Sequence, residues 1–444
     1  MRIWPTKRRW KHLAIAAVIV IALALIANGF MVWRTESRLQ TKIAAIRAAG
    51  DPATIADLAP EPIPADQNAA VYLEQLAPRL DGFAKDHWRF LDKTPEGKAY
   101  EKRRDRGEPP TLEQINAIRA IVDKYPDIDA GLAAAAACER YASLADYSVD
   151  HQRLVEDVID QRANRIRTAV RFTSWRMEVL TSDGQSNQAV AEGTQLLRLA
   201  RLYDGEPLLI NYLVGLAVRG LAGQSLYDAL AAGTASPELH AALDKELARQ
   251  DNPQRLVQVL KTEQAYGVSA AIESGLVPRA AQVNPIWLRL AGWPMKSLFV
   301  DSLGVYDDQF DLASRPWHEI RDQFGADGSM RTSGKGVLAD LLAPALGAAY
   351  TANARNLAEM RALRIFNALV QYRQAHGREA SGLMELSLPK EAMVDPFSGE
   401  PLKLKHTTDG WIVYSVMRNG VDDGGDFKDL KDDGLAPRKH RATE

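Results

Sequence analysis

Residues 187–230 read NQAVAEGTQLLRLARLYDGEPLLINYLVGLAVRGLAGQSLYDAL, and this segment indicates a helical fold. Its first half places apolar side chains around one broad helical face, namely Val190, Leu196, Leu197, Leu199 and Ala200. Pro207 suits the first turn of a second helix, because the amide hydrogen that proline lacks would be unpaired there anyway. A short Asp-Gly-Glu-Pro turn between two long helices predicts an antiparallel helical hairpin.

The helical pattern extends on both sides of this hairpin, from about residue 127 to residue 250. Residues 251–345 mix helical segments with stretches that contain proline and glycine, such as GLVPRAAQVNPIW at 275–287. No repeat of about 34 residues is strong enough to predict a solenoid. We therefore predict a helical body over residues 126–345.

The character of the sequence changes after this body. NARNLAEMRALRIFNALVQYRQAHG (353–377) predicts an amphipathic helix that ends at Gly377. Its apolar stripe comprises Leu357, Met360, Leu363, Phe366 and Leu369 or Val370. PLKLKH alternates apolar and polar residues, and WIVYSV follows an Asp-Gly turn, so both segments indicate strands. We predict a small α+β module, a helix plus an antiparallel sheet, over residues 346–436, and a disordered tail over residues 437–444.

Residues 34–125 predict a membrane-proximal helix, a Pro-rich strap and a charged linker. The helix, at 34–49, breaks at Gly50-Asp51-Pro52, and DLAPEPIP (57–64) has three prolines in eight residues, which favours stiff, extended backbone. Asp66 is a candidate N-cap for the next helix. The loop KRRDRGEPP precedes Thr111, which begins a further helix with Glu113 in its first turn.

The N-terminus predicts a membrane anchor. Residues 1–11 contain five Lys or Arg residues and no acid. Residues 12–33 form a transmembrane segment whose apolar run, LAIAAVIVIALALIANGFMVW, is about 30 Å long as a helix and matches a bilayer core. The basic segment favours a cytoplasmic N-terminus. We therefore expect a single-pass protein of the cytoplasmic membrane whose bulk is extracytoplasmic, in the periplasm.

Two other kinds of N-terminus give similar patterns. Ala22-Leu23-Ala24 resembles a signal-peptidase site, which leaves cleavage open. The apolar run continues to Trp33, which is longer than a usual signal peptide and favours an uncleaved signal-anchor. A bacterial lipid anchor is excluded because no cysteine lies near the span.

Composition narrows the possible functions. The net charge of −2 offers no basic excess for nucleic acid, and the single cysteine, Cys138, allows no intramolecular disulfide. None of the eight histidines has a second histidine at metal-ligand spacing. GSMRTSGKG (328–336) resembles a phosphate loop only superficially. The sequence thus predicts no catalytic residues and no organic cofactor; whether the protein is an enzyme stays open, and the missing motifs favour a non-enzyme.

The sharpest local signal is an acidic loop, DDGGDFKDLKDDG, at residues 422–434. Calcium takes six to eight oxygen ligands, which carboxylates and carbonyls can supply. The available oxygen donors are Asn419, Asp422, Asp423, Asp426, Asp429, Asp432 and Asp433, and the glycines that would let the backbone wrap are Gly420, Gly424 and Gly425. The spacing is not that of an EF-hand. Composition leaves two readings open, a structural calcium site and a solvated acidic turn.

Residues 395–433, DPFSGEPLKLKHTTDGWIVYSVMRNGVDDGGDFKDLKDD, are similar to the C-terminal region of major type II secretion pseudopilins. Those domains carry a long helix, a small antiparallel sheet and an Asp- and Gly-rich loop that binds calcium. On that resemblance, the residues that match calcium-loop positions are Asn419, Asp422, Asp426, Asp432 and Asp433. Met417 and Arg418 depart from the small residues usual after Tyr-Ser, and the N-terminal pilin signature is absent. The resemblance therefore implies a pilin-like head used as a module.

The whole chain resembles uncharacterised single-pass envelope proteins of planctomycete type. The resemblance is carried by GDPATIADLAPEPIPADQNAA (50–70), CERYASLADY, LLRLARLYDGEPLLINYLVGLAV and the acidic C-terminus. This group implies no activity. We expect a non-enzymatic envelope component or interaction scaffold with envelope protein partners and no nucleic acid. The alternatives are an anchored hydrolase with acids assembled across the helical body, and an accessory factor of a secretion-pilus system.

Overall fold

The computed structural model describes residues 7–157, 161–273, 293–325, 328–331 and 337–441, which are mainly α-helical, as the sequence predicts. The first twelve helices are α1 (Lys7–Ala48), α2 (Ala69–Gln75), α3 (Ala77–Lys93), α4 (Pro95–Asp105), α5 (Leu112–Val122), α6 (Pro126–Ala137), α7 (His151–Asp157), α8 (Ala163–Ser182), α9 (Ser186–Tyr203), α10 (Leu209–Ala232), α11 (Pro237–Gln250) and α12 (Gln254–Ile272). The remaining helices are α13 (Trp293–Ser302), α14 (Tyr306–Ala313), α15 (Trp317–Ile320), α16 (Val337–His376) and α17 (Arg438–Arg441). Three strands follow α16, namely β1 (Lys403–Thr407), β2 (Gly410–Ser415) and β3 (Asp433–Leu435).

The predicted hairpin is present as α9 and α10, and α8 packs against both helices. Gly193 allows the close approach, because a Cβ there would lie 2.5 Å from Leu226 Cδ2. The second helix begins at Leu209, two residues beyond Pro207. Residues 204–208 therefore form a turn outside both helices.

Helix α16 is longer than the predicted helix at 353–377. It starts at Val337 and continues through Pro344, and Gly377 follows its last residue with a positive φ of 65°. The predicted apolar stripe is buried from Met360 to Val370, whereas Leu357 is half-buried. The helix packs on α10 and α11 with one part and on β2 and β3 with another. The boundary predicted at residues 345/346 thus falls inside a helix that joins the body to the module.

The C-terminal sheet has the predicted antiparallel arrangement, in the order β1-β2-β3. Lys403 pairs with Tyr414 across the first ladder, and Val413 pairs with Leu435 across the second. Val413 and Leu435 belong to the same hydrophobic core as the hairpin helices. One face of the sheet therefore packs on the helical body, while Ile412, Tyr414 and Ala436 form a small separate cluster with Phe427.

Helix α1 combines an exposed apolar part with a buried end. Eleven large apolar side chains from Leu13 to Trp33 are more than half exposed. Within the described residues this is the one helix long and apolar enough to cross a membrane. A signal sequence shows the same pattern. Further along the same helix, Leu39, Ile43 and Ile46 are buried in a second core with α12, α13 and α14. The helix ends at Ala48, and Gly50 has a positive φ of 77°, as expected for the predicted break.

Several local predictions differ in detail from the structure. The N-cap of α2 is Asn68, whose side chain accepts a hydrogen bond from the Ala70 amide, and Asp66 lies in a preceding turn of 3₁₀ helix. Thr111 begins α5 as predicted, but its capping-box partner is Gln114 rather than an acid. The irregular segment at 275–287 lies outside the described residues, as does most of the glycine-bearing segment that begins at residue 328.

Candidate functional site

The acidic loop connects β2 to β3 and wraps as the glycine content predicts. Gly420, Gly424 and Gly425 have φ values of 68°, 76° and 79°. Asp429 and Leu430 also lie in the left-handed region, with φ of 55° and 54°, which bulky side chains rarely adopt. This conformation turns successive backbone amides toward the carboxylates of the loop.

The first two candidate ligands are exposed and hydrogen-bonded within the loop. Asn419 donates from Nδ2 to Asp423 Oδ2 at 2.8 Å, and its Oδ1 accepts from the Val421 amide. Asp422 Oδ1 accepts from the Tyr414 hydroxyl at 2.9 Å and from the Gly424 amide. Partial burial opposes ionisation of Asp422, but these hydrogen bonds outweigh it and hold its pKa below the usual value.

The third candidate, Asp426, sits at the loop surface. It accepts from the Lys428 amide and from Lys431 Nζ at 3.0 Å. The hydrogen bond from Lys431 is the main reason why its pKa lies below the usual value. A side chain that is 43% exposed and paired with an exposed lysine remains free to exchange that partner for an ion.

The last two candidates, Asp432 and Asp433, are consecutive residues with different surroundings. Asp432 is fully buried; its Oδ2 accepts from the Gly425 amide at 2.8 Å, and its Oδ1 has no hydrogen-bond partner. Burial raises the pKa of Asp432, and the charges of Asp423 and Asp422 raise it further. Asp433 instead pairs with Arg355 of α16 and lies 3.7 Å from Arg441.

The five candidate ligands therefore differ in how well their surroundings suit a bound cation. The bare Oδ1 of Asp432, close to the carboxylates of Asp422 and Asp423, fits the oxygen donor set that calcium prefers. Asp433 is already neutralised by arginine and does not join that group. Across the described part of the chain, no three His, Cys, Asp or Glu side chains are grouped closely enough to hold a metal ion as the loop stands. Calcium binding stays a prediction.

A buried charged network lies beneath the loop, on α16. Glu359 accepts from Arg355 at 3.2 Å, and Arg355 also pairs with Asp433. Burial raises the pKa of Glu359 to about 7, and the nearby Asp433 charge raises it in the same direction. This carboxyl group therefore titrates near neutral pH.

The C-terminal segment does not match the predicted disordered tail. Arg438 donates from Nη1 to Glu178 at 2.8 Å and from Nε to Asp228 at 2.7 Å. His440 contacts the Gly425 carbonyl, and Arg441 donates to Gln224 at 3.1 Å. The prediction is therefore wrong for residues 437–441, because their basic side chains meet buried acids; residues 442–444 lie outside the described part.

These contacts close one side of a cleft between α8 and α10. Two adjoining cavities of about 400 Å³ and about 360 Å³ share Ser174, Glu178, Ser225, Asp228 and Arg438 in their walls. His87, Tyr100 and Trp175 line the second cavity, where the Tyr100 hydroxyl donates to Glu178 at 2.8 Å. A cleft of this size suits a small ligand or a peptide side chain.

Burial shifts the pKa values of two side chains in the cleft, Asp228 and His87. Burial raises the pKa of Asp228, and the charge and hydrogen bond of Arg438 oppose that rise. Burial lowers the pKa of His87 to about 4, so this ring is neutral at pH 7. It lies against Trp175, with ring centroids 4.3 Å apart. Both carboxylates of the cleft, Glu178 and Asp228, accept hydrogen bonds from the same arginine, Arg438.

Sequence reasoning did not single out the carboxylates or the arginine of this cleft. Glu178, Asp228 and Arg438 are separated by 50 and 210 positions, and none belongs to a short motif. His87 entered only as one of eight histidines without metal-ligand spacing. The one available signal was the basic run RKHR at 438–441. A basic run at a chain end, with few acids nearby in the sequence, is normally interpreted as a solvent-exposed tail.

Comparisons of the chain with protein-family models, curated proteins and solved structures found no match. The resemblances to pseudopilin heads and to planctomycete-type envelope proteins stay predictions. Contacts, burial and charge are therefore the basis for a functional proposal.

Proposed function

We propose that this protein is a non-enzymatic component of the cell envelope, anchored by α1 with its N-terminus in the cytoplasm and its body outside. The observation that carries the proposal is the dual character of α1. Its apolar part is exposed, while Leu39, Ile43 and Ile46 of the same helix are buried in the body. The anchor therefore enters the body as one continuous helix, with no flexible linker between them.

Three ion pairs between this helix and the body support a fixed orientation of the body. Arg38 lies 2.5 Å from Asp301, Lys296 lies 2.6 Å from Glu36, and Lys42 pairs with Asp307. All three pairs join α1 to residues near α13 and α14. A body held in this way presents the same faces to its neighbours at a constant height above the bilayer.

Membrane topology is tested by cysteine labelling in intact cells. A Lys428→Cys variant should react with a membrane-impermeant maleimide, whereas a Lys7→Cys variant should react only after lysis. Native Cys138 is buried and gives a low background. Release of the body into the soluble fraction, or labelling of both variants in intact cells, would contradict the proposed anchor.

The role as an interaction component is tested by crosslinking in the membrane. A photoreactive residue at Leu221, which is 54% exposed at the cleft, should capture specific envelope proteins. The same group at Met384, which is 85% exposed and does not line the cleft, is the matched control. The proposal fails if Leu221 captures no protein beyond those that Met384 captures.

Structural calcium at the acidic loop is the second part of the proposal. The carboxylates of Asp422, Asp426 and Asp432, with the Asn419 amide oxygen, would hold the ion, and its charge would offset their repulsion. Asp433 is left out because its arginine partners already neutralise it. The unpartnered Oδ1 of the buried Asp432 supports this assignment.

Thermal unfolding of the detergent-solubilised full chain, in EDTA and then in graded calcium or magnesium, tests the ion. Binding to the native state alone adds about 2.7 kcal/mol at a hundredfold excess over Kd. A calcium-specific rise in Tm should vanish in Asp422→Ala/Asp426→Ala and persist in Asp409→Ala, an exposed aspartate in the β1–β2 turn. An unchanged Tm at millimolar calcium would make the loop a solvated acidic turn.

A hydrolase is the second candidate, because Glu178 and Asp228 converge on one cleft. Hydrolysis of a chromogenic ester, phosphoester or glycoside that is lost in Asp228→Asn and kept in Asp423→Asn, an exposed aspartate that does not line the cleft, would favour it. No turnover with any of these substrate classes would leave the binding role as the better account of the cleft.

A further inference from the structure

A separate cavity of about 400 Å³ lies beside the hairpin turn, and Asp204 of that turn forms part of its wall. The rest of the wall comes from the ends of α9 and α11, the start of α12 and faces of α10 and α16. Its walls carry four arginines, namely Arg201, Arg219, Arg249 and Arg255. None of the residues of the acidic loop or of the α8–α10 cleft lines it.

Only two carboxylates, those of Asp204 and Glu246, form ion pairs with these four guanidinium groups in the described part of the chain. Arg219 donates to Asp204 at 2.5 Å, and Arg201 donates to Glu246 at 2.8 Å. Arg249 lies 3.9 Å from the same Glu246, and Arg255 lies 3.4 Å from the same Asp204. The cluster therefore has more positive than negative charge within reach.

Several polar atoms at this cavity are buried without a hydrogen bond. They are Nη1 of Arg219, Nε of Arg255 and Oδ1 of Asp204. Arg219 is 4% exposed, so water does not freely satisfy its donor. Burial lowers the pKa of Arg255, and the neighbouring Arg219 charge acts in the same direction. Buried donors without acceptors destabilise a fold unless a ligand or water completes them.

We propose that this cavity binds a small phosphate ester that also carries hydroxyl groups. The planar, charged guanidinium groups of Arg219 and Arg255 match the geometry of a phosphate, to which arginine donates paired hydrogen bonds. The free Oδ1 of Asp204 would accept from a ligand hydroxyl, and the amide side chains of Asn252 and Asn353 line the same space. The volume lies within the range of small-molecule pockets and exceeds the needs of a bare inorganic phosphate.

The arrangement differs from an ordinary structural ion-pair network in two respects. A closed network gives each buried donor a hydrogen bond, whereas here Nη1 of Arg219 has none and Nε of Arg255 has only a 3.4 Å ion-pair contact with Asp204. The arginines also surround an open volume, whereas those of a structural network pack against one another or against the core.

Calorimetric titration of the detergent-solubilised full chain at low ionic strength tests the proposal. The probes are glucose 6-phosphate, glucose, inorganic phosphate and glycerol 3-phosphate, the last being the soluble equivalent of a phospholipid headgroup. Saturable binding of glucose 6-phosphate with no binding of glucose is the expected result. Preference for glycerol 3-phosphate would assign the site to a lipid headgroup, and binding of inorganic phosphate alone would overturn the hydroxyl-bearing part of the proposal.

Matched variants separate the site from general charge effects. Arg255→Gln and Arg249→Gln should each weaken binding of the phosphate ester at least tenfold. Arg364→Gln is the control, because Arg364 is also partly buried and paired with one carboxylate, Asp244, but does not line the cavity. The proposal would be overturned if Arg255→Gln and the unmodified chain bound the phosphate ester with equal affinity. It would also be overturned if no phosphate probe bound at concentrations up to about 10 mM, which corresponds to a very weak Kd.

Discussion

The turn at residues 204–208 and the loop at residues 416–432 are both acidic, glycine-containing connectors, but they are built in opposite ways. In the turn, Glu206 is fully buried and accepts from the Tyr141 hydroxyl at 2.6 Å and the Ser143 hydroxyl at 2.7 Å. In the loop, Asp422 and Asp426 are 45% and 43% exposed. The same residue types are fixed by distant partners in the first connector and by neighbouring backbone in the second.

This difference shows where acidic residues contribute to the stability of the fold. The partners of Glu206 lie 44 or more positions away in the chain, including Arg162 at 3.8 Å, so the turn ties separate helices together. Gly205 is required there, because a Cβ would lie 2.9 Å from the Tyr141 ring. The partners of the loop carboxylates lie mostly within eight positions. Such contacts order the loop itself and add little to the rest of the fold.

The largest effect is expected at the buried turn. Glu206→Ala leaves Arg162 and two buried hydroxyls without their acceptor, which should lower the free energy of unfolding by about 3 kcal/mol. Glu206→Gln keeps an acceptor of the same shape and should lose less. Urea unfolding of the detergent-solubilised chain measures both. Asp423→Ala, in the exposed loop, is the control, and an equal loss in that variant would break the comparison.

The next largest effect is expected where the C-terminal segment joins the loop to the body. Arg438→Ala removes the shared partner of Glu178 and Asp228, whose side chains are 9% and 17% exposed. We expect a loss of about 2 kcal/mol in the same urea experiment, since partly buried carboxylates are left unpaired.

Lys439→Ala is the matched control for this variant, because Lys439 is the adjacent exposed base. It should leave the unfolding midpoint unchanged. If Arg438→Ala also leaves the midpoint unchanged, the segment would behave as the tail that the sequence predicts.

Local contacts and distant contacts also differ in how well the sequence predicts them. Helical periodicity predicted the hairpin and the C-terminal helix, and alternation with an Asp-Gly turn predicted the strands, because those signals are local. A change in the character of the sequence placed a domain boundary inside α16, where the helix continues through Pro344. The cleft could not be predicted, because Glu178, Asp228 and Arg438 meet only through packing. The glycines of the acidic loop predicted its wrapping but not the burial of Asp432.

An effect of intermediate size, dependent on pH, is expected at Glu359, which lies beneath the acidic loop. Burial beneath the loop raises the pKa of Glu359 to about 7, from 4.5 in an unfolded chain. The folded state therefore holds this proton more tightly, and the contribution is complete below about pH 4.5 and is lost as the pH rises through 7. Glu359→Gln should remove this loss, so its Tm should fall less than that of the unmodified chain between pH 5 and pH 8.

Glu385→Gln is the control for that experiment. Hydrogen bonds from Arg378 and the Ser381 amide lower the pKa of Glu385 to about 2, so it titrates below this window in both states. Its pH profile between pH 5 and pH 8 should match that of the unmodified chain. A Glu359→Gln profile with an unchanged slope would show that the carboxyl is already ionised in the fold.

The smallest effect is expected at the loop surface. Asp426 and Lys431 are 43% and 46% exposed and lie 3.0 Å apart, and exposed ion pairs contribute little because water and salt screen them. In EDTA, Asp426→Ala, Lys431→Ala and the double variant should all unfold at the same urea midpoint as the unmodified chain. A coupling between the two residues that disappears in high salt would contradict this expectation and bring the loop closer to the buried turn. If no coupling is found, the loop without calcium contributes almost nothing to the free energy of unfolding that Asp426→Ala could remove. Any stabilisation measured in calcium then comes from the ion alone.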